Sequence, residues 1–84
     1  MKNKVNENHP FFKRFSVIVK QKISSDGKSP LCMANEMSIS KASFWRYVDS
    51  KAMPSIEILE KIADYFDVST DWLLGRTDRR NYDE

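Results

Sequence analysis

Side chains that can bind a nucleic acid lie close together between residues 40 and 51. Lys41 and Arg46 can both donate hydrogen bonds to O6 and N7 of guanine, and the planar guanidinium of Arg46 can do so with two parallel bonds. Ala42 can contact a thymine methyl group, and Ser43 can donate to a base or to a phosphate. The alternative for Lys41 and Arg46 is an ordinary solvated basic face, and Ala42 and Ser43 could equally be neutral helix residues. Together these side chains have the chemistry of DNA recognition rather than of catalysis.

Trp45 lies within the same segment and has a different chemistry. Its ring can pack on the sugars and thymine methyl groups of DNA, it can anchor a protein partner as a hot spot, or it can fold back onto its own domain. These three interpretations are all open on the sequence alone.

The residue types that catalysis and metal binding require do not cluster. The single cysteine, Cys32, and the single histidine, His9, do not make a plausible metal site. No nucleophile, base and orienting group lie together, and two glycines are too few for a Gly-rich phosphate loop. The sequence therefore predicts a protein that is not an enzyme and binds no cofactor or metal. Cys32 is expected to be a partly exposed structural thiol.

Length and charge restrict the function further. The 84 residues are enough for one small domain. Residues 1–53 carry ten Lys and Arg against four acids, a net charge of +6, whereas residues 54–84 carry four against eight, a net charge of −4. This asymmetry favours a polyanionic partner for the first part, although a chance distribution of solvated charges would look the same. Without a signal sequence or an apolar run of about 20 residues, we expect a cytoplasmic protein with no membrane contact.

Five helices are expected to position these side chains, because apolar residues recur at intervals of three and four and no segment alternates as a strand would. The predicted helices comprise residues 10–23, 30–37 and 41–48, a fourth that Ser55 caps, and a last one over residues 70–74. The fourth has an apolar stripe of Ile56, Leu59, Ile62, Ala63 and Phe66. The predicted class is all-α, with a flexible segment over residues 1–9, a domain over residues 10–75 and a polar tail over residues 76–84.

The second and third helices, with the turn between them, form a predicted helix-turn-helix over about residues 29–48. Ser29 and Ser40 are suitable N-caps, and Pro30 suits a first helical turn. Ala34 allows the two helices to approach closely. The apolar residues expected inside the unit are Met33, Met37, Ile39, Phe44 and Tyr47. Such a unit can hold its second helix ready for a major groove, but helical hairpins also occur as plain packing units.

The segment PSIEILEKIADYFDVSTDWLLGRTD, from Pro54 to Asp78, resembles the C-terminal half of lambda-repressor-like domains of the Cro/cI (xenobiotic-response-element) type. Residues 29–53 lie where the helix-turn-helix of that family belongs, and the resemblance covers about residues 11–78. It implies a compact five-helix DNA-binding domain. It also implies binding to double-stranded DNA, often as a homodimer on a palindromic operator.

The resemblance assigns roles to individual positions, since Lys41 and Arg46 match family positions that face the major groove. The predicted base-reading residues are Lys41, Ala42, Ser43, Trp45 and Arg46. The residues where family members hold phosphates are Lys28, Ser29, Ser40 and Lys51. The family also implies a symmetric dimer contact through the last helix, because one small domain is not expected to hide all of Trp72, Leu73 and Leu74.

The helix-turn-helix departs from the family pattern at four positions. Pro30 replaces a Gln that usually reaches the DNA backbone, and Ser38 replaces the usual turn glycine. Val48 and Ser50 replace the Glu and Gly that typically follow the recognition helix. The sequence predicts a sequence-specific transcriptional regulator, of the repressor type found in phages and mobile elements. The alternative is a protein-binding module on the same fold, such as an antirepressor or accessory subunit that uses Trp45.

Overall fold

Five α-helices make up the part of the chain that the computed structural model describes, residues 5–81. The helices are α1 (Pro10–Asp26), α2 (Pro30–Glu36), α3 (Lys41–Val48), α4 (Ile56–Phe66) and α5 (Thr70–Leu73). No residue between 5 and 81 lies in a strand. The predicted all-α class with five helices is confirmed.

A side-chain cap begins each helix, which explains why most of the starts were predictable. His9 accepts a hydrogen bond from the backbone N–H of Phe11 at the start of α1, and Pro10 occupies the first turn. The other four caps are serine hydroxyls, those of Ser29, Ser40, Ser55 and Ser69. Each of these hydroxyls accepts a bond from the N–H three residues on, which would otherwise have no partner in the helix.

Helix α1 is three residues longer than predicted. Ser24, Ser25 and Asp26 were expected to form a turn, but they are helical. The helix ends at Gly27, which has a left-handed φ of 67° and donates its N–H to the carbonyl of Ile23 at 3.0 Å. The end of α1 is therefore set by the residue that can adopt the left-handed conformation, and not by the lower helix propensity of the serines before it.

Aromatic side chains of α1 form the centre of the core. Phe11 and Phe15 are fully buried, and their rings stack with centroids 5.3 Å apart. Phe15 also meets Phe44 of α3 edge to face at 5.6 Å. Helix α1 contacts α3 and α5, while α2 contacts α3 and α4 contacts α5. The inner face of α3 is thus fixed to both α1 and α2.

Ile56 lies outside the core, contrary to the apolar stripe predicted for α4. Its side chain is 78% exposed, whereas Leu59, Ile62 and Ala63 on the same helix are buried. Ile56 is the first residue of α4, so its side chain precedes the part of the helix that packs against the core. Phe66, at the other end, is partly buried against the core.

Both ends of the described chain lie against the domain. Val5 packs on the core. The segment after α5 is held by two hydrogen bonds to the turn that precedes this helix. The carbonyl of Arg80 accepts from the backbone N–H of Ser69, and the Asn81 amide donates to the carbonyl of Asp67 at 3.3 Å. Of the predicted flexible segment and polar tail, residues 1–4 and 82–84 lie outside the described residues. Residues 76–81 are in contact with the domain, where a frayed tail was expected.

Two serines have left-handed backbone conformations. Ser38 has a φ of 58° and Ser50 a φ of 61°. Both turns therefore have a backbone conformation that glycine adopts more easily than serine does.

Replacing Ser38 with glycine is expected to stabilise the domain by about 0.5–1 kcal/mol. The left-handed conformation costs an L-residue about 1–2 kcal/mol, and glycine avoids this cost. The greater freedom of glycine in the unfolded chain offsets about 0.5–1 kcal/mol of the resulting stabilisation. Urea unfolding of the wild type and of Ser38→Gly measures the difference. Ser38→Ala keeps the Cβ atom and should gain nothing. A glycine variant no more stable than the wild type would contradict this reasoning.

Candidate nucleic-acid interface

Helices α2 and α3 lie next to each other and are joined by a turn over residues 37–40. Among the backbone bonds that end α2, the N–H of Met37 donates to the carbonyl of Met33 at 3.0 Å and the N–H of Ile39 donates to the carbonyl of Ala34 at 2.9 Å. Ala34 is 1% exposed, so this small side chain is buried in the core, as predicted for close packing of α2 on α3. The bounds of both helices agree with the predicted ones to within one residue.

Helix α3 has one face in the core and the opposite face in solvent. Phe44 and Tyr47 point inward and are 1% and 8% exposed. Four exposed residues make up what we call the outer face of α3: Lys41, Ala42, Trp45 and Arg46. Ser43, the remaining predicted base-reading residue, is half-buried at the margin of this face. The predicted division of α3 into an inner and an outer side is therefore correct.

Lys41 and Arg46 have no acidic partner within residues 5–81. The ion pairs in that part of the chain join Arg14 to Asp78, Lys22 to Asp26 and Lys28 to Glu36. Helix α3 itself contains no acidic residue. Both cations of the outer face are therefore free to pair with an anionic partner.

The Trp45 side chain packs on its own domain and is also exposed enough to contact a partner. Its ring meets the ring of Phe44 edge to face, with centroids 5.9 Å apart and an interplanar angle of 87°. It nevertheless remains 43% exposed. The side chain leans on its own domain and keeps a large apolar surface available to a partner.

Three of the four predicted phosphate contacts are exposed and available. The hydroxyls of Ser29 and Ser40 accept hydrogen bonds from the backbone of Cys32 and Ser43, each at 3.1 Å, so both serines are helix caps. A hydroxyl that accepts such a bond can still donate its own hydrogen to a phosphate oxygen. Lys51 is exposed and has no acidic partner among residues 5–81.

Lys28, the fourth predicted phosphate contact, is already engaged. Its ammonium group donates to both carboxylate oxygens of Glu36, at 2.8 and 2.9 Å. The bond from Lys28, followed by a bond from the Tyr65 hydroxyl, lowers the pKa of Glu36, and the same contact with Glu36 raises the pKa of Lys28. Burial, followed by the bond to Glu36, raises the pKa of Tyr65 to about 12. Lys28 would have to leave this cluster to reach a phosphate.

Two of the three residues predicted for the dimer contact lie in the core of their own chain. Trp72 is 7% exposed and Leu73 is fully buried, while Leu74 is partly exposed. The guanidinium groups of Arg14 and Arg80 lie 5.0 and 4.9 Å from the centre of the Trp72 ring. The domain does not hide all three side chains, as expected, but it hides two of them, because the short helix α5 packs on both α1 and α4. Dimerisation itself stays a prediction.

His9 and Cys32 have structural positions. His9 Nδ1 accepts a bond from the backbone of Phe11 at 3.1 Å, and Cys32 is a half-buried free thiol. No group of three or more His, Cys, Asp or Glu residues within residues 5–81 is placed to hold a metal ion. In the same part of the chain, none of the helices has the length and apolar character that crossing a membrane requires.

Comparison with known proteins connects this chain to a phage regulator. A stretch of 49 residues, 58% of this chain, is 41% identical to the cryptic phage CTXphi transcriptional repressor RstR of Vibrio cholerae. The match spans 44% of the length of that repressor, less than half. No protein-family model and no solved structure matches the chain significantly. More than half of this all-helical chain is thus similar to part of a phage transcriptional repressor.

Proposed function

We propose that this protein is a sequence-specific transcriptional regulator of the phage-repressor type, which reads the major groove of double-stranded DNA with α3. The outer face of α3 is the observation that carries the proposal. Lys41 and Arg46 project from it without an acidic partner in the described chain, while Phe44 and Tyr47 hold the helix to the core. The similarity to a phage repressor supports the same function.

In the proposed mechanism, residues 29–48 act as a helix-turn-helix and α3 enters the groove. Arg46 donates two parallel bonds to O6 and N7 of a guanine, and Lys41 donates to a second base edge. Ala42 and Trp45 contact thymine methyl groups or sugars, and Ser43 reaches a base or a phosphate from the margin of the helix. The ring contact between Phe15 and Phe44, at 5.6 Å, keeps α3 in a fixed direction while these bonds form.

Contacts to phosphates set the register of the protein on DNA. We assign them to Ser29, Ser40 and Lys51, with Lys28 contributing only when it leaves Glu36. The proposed partner is a palindromic duplex bound by a homodimer. Because Trp72 and Leu73 are buried in their own chain, Leu74 is the member of the predicted dimer set that retains exposed surface.

Selection of bound duplexes from a random pool, at physiological salt, tests the proposal directly. The wild type is expected to enrich a palindromic sequence, and Arg46→Ala is expected to enrich it poorly. Absence of any enriched sequence, even at low salt, would contradict DNA reading. It would favour the alternative of a protein-binding module built around the exposed ring of Trp45.

Lys51→Ala is expected to weaken binding to all duplexes by a similar factor. A lysine that contacts a phosphate releases about one counterion, so its removal should reduce the slope of log K against log salt by about 1. Titrations of the selected duplex and of a scrambled duplex, between about 50 and 200 mM salt, measure both quantities.

Lys61→Ala is the matched control for this experiment. Lys61 is also an exposed lysine without an acidic partner in the described chain, but it lies on α4 in the acidic part of the sequence. Its removal should leave the slope unchanged. A loss in Lys51→Ala that depends on the duplex sequence would show that Lys51 contacts a base and not a phosphate.

A further inference from the structure

An apolar groove lies between α1 and α3. Val19 and Ile23 of α1 form one wall, Trp45 and Val48 of α3 form the other, and Pro30 of α2 also lines it. We call it the α1–α3 groove. Because Trp45 belongs both to this groove and to the outer face of α3, the two surfaces are continuous. Ile23 and Trp45 keep 40% and 43% of their surface exposed, which leaves the groove accessible.

The volume of the groove suits a single large side chain. It encloses about 170 Å³. An apolar protein cavity of about 150 Å³ is large enough to bind benzene, so one aromatic ring or one branched aliphatic side chain fits here. Such an anchor residue, buried in a pocket of the partner, is the usual centre of a protein interface.

The charges around the groove indicate what should flank that anchor. Lys20 lines the groove, and Lys41 and Arg46 project from the helix that forms its second wall. None of the three has an acidic partner within residues 5–81. The acidic residues of α1 and α2, Asp26 and Glu36, are engaged by Lys22 and Lys28. One exposed acid, Asp49, follows Val48 at the end of α3. With three cations against this one acid, the surface is apolar at its centre and mainly positive beside it, which is complementary to an acidic segment that carries one apolar side chain.

We infer that the α1–α3 groove is the docking site of an acidic protein partner, which inserts one aromatic or branched aliphatic side chain between Val19 and Trp45. The docked segment covers part of the outer face of α3, so it excludes DNA. Only this competition rests on the proposed DNA-reading role of α3. The docking itself depends on the shape and charge of the groove alone.

Selection of peptides from a random displayed library, against the full chain, tests the docking. Enriched peptides are expected to share one Phe, Trp, Leu or Ile flanked by Asp and Glu. A synthetic peptide with that consensus then serves as the probe. Its affinity should fall about tenfold or more in Ser16→Phe, where the added ring fills the groove that Ser16 lines, and also in Lys20→Glu, which reverses the charge beside it.

Helix α1 offers a matched control for each change. Val17→Phe adds a ring and Lys13→Glu reverses a charge at exposed positions that do not line the groove, so both should bind the peptide as the wild type does. Because Lys20 is exposed, Lys20→Glu remains informative even if the added ring prevents Ser16→Phe from folding. Thermal unfolding identifies which variants are folded.

The outcomes separate docking from DNA binding. A selection without the acidic and apolar consensus, or a peptide that binds Ser16→Phe and Lys20→Glu as tightly as the wild type, would overturn the docking site. Displacement of the selected duplex by the peptide supports the competition, and a complex that contains both would overturn it. Failure to select any duplex contradicts the proposed function but leaves the peptide result to decide the docking site.

Discussion

Arg46→Ala is expected to weaken binding to the selected operator by about 1–3 kcal/mol, roughly 5- to 150-fold. Arg46 is exposed and has no acidic partner in the described chain, so its truncation leaves no unpaired carboxylate behind and should not destabilise the free domain. The whole loss should therefore appear in the complex. The affinity for unrelated duplexes should fall much less, so the ratio of the two affinities, operator over unrelated duplex, should decrease. Competition titrations with the two kinds of duplex at one salt concentration measure both effects.

Two further variants show whether the charge of Arg46 or the geometry of its guanidinium group is responsible for the discrimination between duplexes. Arg46→Lys keeps the positive charge but loses the planar fork that bonds to two guanine atoms at once. It should bind unrelated duplexes as the wild type does and still discriminate poorly at one base position. Lys13→Ala removes an exposed cation of α1 and should have little effect on discrimination. If Arg46→Ala lost the same factor on every duplex, Arg46 would be a phosphate contact and the proposed base reading would be wrong.

The position of α3 could be predicted because its determinants are local. Two N-cap serines, Ser29 with Pro30 after it and Ser40 eleven residues after Ser29, mark the starts of α2 and α3, and the structure begins both helices there. The inner and outer sides of α3 follow from helical spacing alone, since Phe44 and Tyr47 are three residues apart. Cap chemistry and periodicity act within one turn of helix, so a single sequence contains all the information that they need.

The features that the sequence did not reveal depend on contacts between distant segments. Ile56 has the correct helical phase but lies before the point where α4 reaches the core. Trp72 was expected at a dimer surface because the family resemblance implied one, and its packing against Arg14 and Arg80 could not be identified from spacing. The α1–α3 groove needs residues of α1, α2 and α3 to converge, and the crossing of these helices sets its width. Packing decides each of these features.

The contact between Arg14 and the end of the domain is another that no sequence pattern indicated. Arg14, on α1, donates from Nη1 to the carbonyl of Trp72 at 2.6 Å and to the carbonyl of Thr77 at 2.7 Å. Its guanidinium also lies 5.0 Å from the centre of the Trp72 ring. The first carbonyl lies in the last turn of α5 and also accepts a bond from the backbone N–H of Gly75 at 3.0 Å. One cation thus joins the first helix, the last helix and the segment after it.

Arg14→Ala is therefore expected to destabilise the domain by about 2–4 kcal/mol, because each hydrogen bond from a charged donor contributes about 1.5–3 kcal/mol and the part-buried carbonyl of Thr77 loses its donor. For a domain of this size the midpoint of thermal unfolding should fall by about 4–8 °C per kcal/mol. Asp78→Ala is the matched control. Asp78 pairs with the same guanidinium at 3.3 Å, but its side chain is fully exposed, so its removal should leave the midpoint of thermal unfolding close to that of the wild type.

The comparison of these variants separates the stability that the two carbonyl bonds contribute from the stability that the surface ion pair contributes. Arg14→Lys should be intermediate, since an ammonium group keeps the charge but cannot reproduce the geometry of the guanidinium fork. Below its unfolding temperature, Arg14→Ala should bind the selected duplex as the wild type does, because the contacts of Arg14 lie at α5 and the segment after it and not on the outer face of α3. An Arg14→Ala variant no less stable than Asp78→Ala would mean that water replaces both carbonyl bonds without cost, and the structural role assigned to Arg14 would be wrong.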